Sequence, residues 1–390
     1  MENIKTTLES FMKTDRFMNS NSVKKQHISN TKERDATIDI AKAIGIISIV
    51  LGHACFYNEN VKDVRHFVYI YHILVFVFCL GYLFKNYSYK VFFKKKIIQL
   101  YLPLIAYNFV FIIIRPLLFD WGLEDEINWS KPKTILNIIS GYHIKGAGAL
   151  WFVPYLFIIS LVLLTIYKIS SLFVHKNIIF IILSVFCGVI GRILLSHIDY
   201  SNHIIKTLDR YHIVVALVSI PFATLGYYAK KNKWISKIYF VWPIAMGILI
   251  AYCCFTDEFL DLYGNKLIKG FYVIVTIGIF FVFGVSFMLS KTRRIKELSS
   301  IIGQSSFSIM ATHLVVFKLI DAILYYILRV PTNNLNRVPI SYPQFWYMYT
   351  LASIVIIVLI RVALMKLIKR IKNKVTIWRM SNGQIKNNKM

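Results

Sequence analysis

The chain has 390 residues, 57% of them hydrophobic and 15% aromatic, and carries a formal net charge of +27. So much apolar surface excludes an ordinary water-soluble domain and points to an all-α, polytopic membrane protein. The positive charge by itself suits nucleic acid, but no aromatic-basic groove pattern and no zinc-ligand spacing accompany it.

The first 33 residues are polar and lack the apolar core of a signal peptide, so they read as a mobile cytoplasmic tail, with the next run serving as a signal anchor. Ten apolar runs follow, at about 38–57, 67–84, 97–118, 149–168, 177–196, 211–229, 238–255, 270–290, 301–325 and 346–366. Each approaches the ~20 residues a spanning helix needs, although the second is short and the ninth is interrupted by polar residues. Residues 34–368 form the expected membrane domain, and 369–390 a basic cytoplasmic tail. The longest connection, 119–148, has room for a small cap.

With the N-terminus inside, the tails and the connections on its side hold 30 Lys and Arg, against 11 in the opposite connections. The positive-inside rule therefore places both termini in the cytoplasm of a multi-pass protein of the cell membrane. The basic excess follows from topology and from attraction to an anionic inner leaflet, and no nucleic-acid partner is expected. The five cysteines lie in or beside apolar runs, are odd in number and include no CxxC pair. They read as small core residues, with no metal site and no disulfide framework.

The first run, from Arg34 to Asn58, carries Asp39, Lys42 and His53. Ionisable groups inside a span mark function or a paired structural site. Lys42 and His53 are eleven residues apart, about 1100° of helical rotation, so they share a face and lie about 16 Å apart along the axis. Asp39 neighbours Lys42 on that face. Gly45, Ser48 and Gly52 give the helix a stripe of modest bulk that another group can approach. A charged group near the cytoplasm is thus joined to an imidazole deep in the membrane. The imidazole suits proton transfer near neutral pH. The plainer alternatives are a histidine that bonds a neighbouring helix and an Asp39–Lys42 pair that snorkels.

These residues carry a family likeness. Arg34, Ile38, Asp39, Lys42, Val50, Gly52 and His53 fall on the first-span motif of the integral-membrane acyltransferase 3 superfamily, and the pattern is most similar to its fucose O-acetylase-like branch. Further along, Tyr71–Phe84 resembles the second span, with His72, Phe76, Gly81 and Tyr82 matching and Ile73 and Leu74 in place of Met-Pro. The segment KKKIIQLYLP resembles the basic opening of span 3: Lys96 takes the first basic position, while Gln99 stands at the second. Trp151 falls on the Trp of a Leu-Trp-Phe span, and the stretch ending at His313 resembles a late Ser-containing span.

The resemblance implies transfer of an acyl group, commonly acetyl, from cytoplasmic acyl-CoA to a hydroxyl of a cell-surface or lipid-linked glycan. It implies His53 as general base or as a transiently acylated nucleophile. Lys42, Lys94, Lys95 and Lys96 would receive the phosphates of acetyl-CoA, with Asp39 orienting Lys42 or a neighbouring basic group. For the three consecutive lysines, plain positive-inside anchoring is the competing reading. His72, Trp151 and His313 are candidates for the acceptor side; a span cap, an interfacial belt residue and a helix–helix bond are their structural alternatives. Lys318 and Asp321 read as a structural ion pair. A glycan flippase and a non-catalytic sensor are the rival functions.

Overall fold

The computed structural model describes residues 35–123, 148–196, 212–256, 260, 262, 270–332 and 334–387. Hydrocarbon offers the backbone no hydrogen-bond partner, so a spanning segment must satisfy its own N–H and C=O groups. The regular elements among the described residues are accordingly all helical. They are α1 (Ala36–Ala54), α2 (Lys62–Tyr69), α3 (Leu74–Tyr82), α4 (Tyr89–Lys96), α5 (Leu102–Asp120), α6 (Phe152–Ser170) and α7 (Lys176–Ser196), then α8 (Ile213–Lys231), α9 (Trp234–Ile238), α10 (Trp242–Phe255), α11 (Phe271–Leu289), α12 (Arg293–Gln304), α13 (Ser306–Ala322) and α14 (Trp346–Asn387). A π-helical turn, Ile97–Tyr101, joins α4 to α5, and another, Ile323–Ile327, follows α13. Among the described residues, ten helical stretches are long and apolar enough to cross a membrane.

Four span boundaries differ from those expected. The second span is two helices, α2 and α3, with His72 in the turn between them. The third begins at Tyr89, eight residues earlier than its apolar run, because the Ser88 hydroxyl caps the helix by accepting from Val91 N. The ninth begins at Ser306 instead of 301: Ile301 and Ile302 belong to the amphipathic α12, which ends against Ser305. The tenth runs on as one helix to Asn387, since neither Pro nor Gly interrupts it before Gly383. The tail 1–33 and most of the 119–148 connection lie outside the described residues.

The first span sits at the centre, packed against α2, α3, α11, α12, α13 and α14. A second focus is α8, which meets α3, α6 and α7. There the backbones touch. A Cβ on Gly81 would land on the Ala223 carbonyl, and one on Gly226 would land on that of Phe78. Small residues permit this approach between helices that gain no hydrophobic drive from lipid.

Asp321, fully buried, ties the ninth span to the loop after it. Its carboxylate accepts from Lys318 Nζ (3.2 Å), Ser341 Oγ (2.9 Å), Ser341 N (3.2 Å) and the Tyr349 hydroxyl. Lys318 also donates to the Arg337 carbonyl at 2.6 Å. The pair is thus a buried structural cross-link between α13, the following loop and α14.

Candidate active site

Helical phase sorts the first span into two faces. Lys42, Ile46, Ile49 and His53 follow one another at the spacing of a single stripe. Lys42 lines a cavity of about 530 Å³ together with Lys85, Tyr87, Lys95, Lys96 and Gln99. Ile46 and Ile49 line a narrower slot of about 70 Å³ with Phe307 and Met310 of α13. The two spaces share Phe76, Leu100, Leu156 and Ser306. A wide basic mouth therefore narrows into a thin apolar slot.

One turn beyond Ile49 stands His53, and three residues beyond Met310 stands His313. The rings meet with Nδ1 of His53 2.8 Å from Nε2 of His313 and their planes 13° apart. His313 is fully buried, whereas His53 keeps part of its surface accessible. The Nδ1 of His313 faces two carbonyls, Ile309 O at 2.9 Å and Met310 O at 3.0 Å. Both are acceptors only, so that nitrogen carries the proton. In a neutral ring its Nε2 must then accept, and it accepts the Nδ1–H of His53. The proton assignment leaves Nε2 of His53 with a free lone pair.

The other expected residues fall in different places. Lys95 and Lys96 line the mouth; Lys94 is exposed and does not. Gln99, the uncharged residue at the second basic position, also lines it. Asp39 is buried, and its Oδ2 accepts from Ser300 Oγ at 3.2 Å. Its backbone carbonyl lies where a Cβ on Gly303 would sit, so Asp39 docks α12 onto α1. His72 is buried, with Nδ1 3.1 Å from Val68 O and its ring 4.4 Å from that of Tyr69, which itself fills the space over Gly52. Trp151 packs its ring on Tyr155 (5.5 Å) and on His212 (5.4 Å). Neither His72 nor Trp151 lines the cavity or the slot.

The small residues of span 1 need a correction. Gly45 receives the Phe76 ring, Gly52 receives Tyr69, and Ser48 Oγ lies 3.3 Å from the Tyr71 hydroxyl. They admit the second span. The stripe between Lys42 and His53 consists of Ile46 and Ile49, because positions 45, 48 and 52 are rotated away from it by about 70–130°.

Some lining residues gave no sequence signal. Tyr87 is one of 24 tyrosines. The Lys95 ammonium lies 4.0 Å over its ring, and a hydrogen bond from Lys95 holds its hydroxyl below the ordinary tyrosine range. Ser306 lines both spaces, and nothing in the sequence sets it apart from Ser305 and Ser308 beside it.

Among the described residues, a bundle with ten long apolar helices holds a basic cavity and an apolar slot that stops one turn short of the His53–His313 pair. The acyltransferase domain family matches residues 35–362, and the chain belongs to that family, a superfamily of polytopic membrane acyltransferases. No curated protein and no solved structure matches the chain.

Proposed function

We propose that this acyltransferase moves an acetyl group from acetyl-CoA to a hydroxyl of a cell-surface or lipid-linked glycan. The observation that carries the reading is the His53–His313 bond, one turn past a slot that opens at Lys42, Lys95 and Lys96. The lysines suit the phosphates of the donor, and the narrow slot suits its extended, thin arm. The excess of Lys and Arg on the N-terminal side favours a cytoplasmic mouth, where acyl-CoA is found, in the cell membrane. The first-span motif and the second favour the fucose O-acetylase-like branch.

In this reading Nε2 of His53 takes the proton of the acceptor hydroxyl as its oxygen attacks the thioester carbonyl. The carbon–sulfur bond then breaks, and the thiol leaves with the proton that His53 gives back. His313 is a positioning residue: it accepts Nδ1–H and so keeps Nε2 basic and aimed. His53→Ala should abolish O-acetylation of the surface polysaccharide, read by NMR, at normal protein abundance. Undiminished O-acetyl content in that strain would sink the assignment, whereas a flippase would instead lose glycan export.

A further inference from the structure

The third span carries a polar group that the site so far leaves unused. Asn108 lies on the inward stripe of α5, between Leu104 and Phe111. It is fully buried, and neither its amide nitrogen nor its oxygen has a hydrogen-bond partner. Buried polar groups are nearly always satisfied, and in a membrane span the cost of leaving one bare is high, so an orphaned amide calls for a partner from outside the protein.

Its depth identifies that partner. Spans 1, 3 and 9 all leave the cavity in the same direction, through Lys42 and Ile46, through Lys96 and Leu100, and through Ser306 and Met310. From Lys42 to His53 is eleven residues, about 16 Å of helix; from Lys96 to Asn108 is twelve, about 18 Å. By residue count from that cavity, Asn108 falls within about one to two turns of the depth of His53. The ring of the preceding residue, Tyr107, packs 5.8 Å from that of Phe307, which lines the slot on the helix of His313. The π-helical turn at Ile97–Tyr101 resets the phase of the helix between the mouth and this level, a device often found at functional sites.

We infer that the Asn108 side-chain amide donates a hydrogen bond to the carbonyl oxygen of the acyl thioester. It stabilises the negative charge that develops there when the acceptor attacks. The inference rests on the acyl-transfer reading above. The amide forms no covalent bond; it is a pre-aimed donor in a water-poor site, where such donors act most strongly.

The test uses the purified full-length chain in lipid nanodiscs, with acetyl-CoA as donor, water or an added glycan as acceptor, and release of the CoA thiol as readout. Asn108→Leu replaces the amide with an apolar group of similar size. The expected result is a kcat lower by about a hundredfold or more, with KM for acetyl-CoA within about threefold of wild type. The melting temperature should be equal or higher, since no orphaned amide remains. Asn108→Ala should lose kcat to the same degree and decides the matter if the leucine variant does not insert. A kcat within about threefold of wild type in a folded variant overturns the inference, as does a loss of activity matched by a loss of folded protein in both variants. His53→Ala, run alongside, separates the two readings. If it abolishes thiol release while the Asn108 variants do not, only the role of Asn108 fails; if it leaves release intact, the acyl-transfer assignment of His53 fails.

Discussion

Replacing His313 tests whether the histidine pair works as a unit. His313→Ala removes the acceptor of a 2.8 Å bond and leaves the Nδ1–H of His53 without a partner in an enclosed site. An unsatisfied buried donor costs about 1–3 kcal/mol. That energy would be relieved by rotation or by a change of tautomer, and both take Nε2 away from the acceptor. At 1.4 kcal/mol per factor of ten, the population of the productive arrangement falls by about one to two powers of ten. The expected result is a kcat reduced about ten- to a hundredfold, with donor KM nearly unchanged, in the same thiol-release assay. His313→Gln places a carbonyl oxygen close to the position of Nε2, so it should accept the same proton and recover most of the loss. If His313→Ala keeps wild-type kcat, or if the glutamine variant is as poor as the alanine variant, the positioning role is wrong.

Charge at the mouth should appear in binding. Lys42→Ala and Lys96→Ala should each raise KM for acetyl-CoA about tenfold with little change in kcat, and added salt should mimic them. Lys94→Ala, exposed and off the cavity, should leave KM unchanged; an equal effect at all three lysines would point to bulk surface charge instead. Removing the buried cross-link should act on stability: Asp321→Ala removes the counter-charge of Lys318, only 4% exposed, and costs about 3–5 kcal/mol. A melting temperature equal to that of wild type would contradict that account.

The first span was legible because its chemistry is local. The eleven-residue spacing of Lys42 and His53 fixes a shared face whatever surrounds the helix, and hydropathy alone located ten spans. What sequence could not supply is which neighbour each face meets. Gly45, Ser48 and Gly52 announce a close approach but do not say that Phe76, Tyr69 and Tyr71 make it. His313 was a candidate from its span, yet its bond to His53 joins residues 260 positions apart. The i, i+3 spacing of Asp39 and Lys42 is visible in sequence, but not that the Asp39 carboxylate also accepts from Ser300 on α12. The span boundaries failed for a related reason. Hydropathy ends where charge begins, but a helix ends where its capping and breaking residues stand, at Ser88, at Ser305 and beyond Gly383.

In the proposed reaction, the same geometry would couple an aqueous donor to chemistry at depth. Each of three helices supplies one residue to the mouth and another two to three turns further in: Lys42 and His53, Lys96 and Asn108, Ser306 and His313. A helix is stiff along its axis, so the separation between the charged mouth and the imidazole is set by residue count. A donor whose charged end and reactive carbonyl stand the same distance apart is then bound and aimed by one set of contacts. A donor with a shorter arm would hold the lysines and leave its carbonyl short of His53. Affinity would survive in that case and turnover would not, which is the behaviour expected when remote binding energy positions a reacting group.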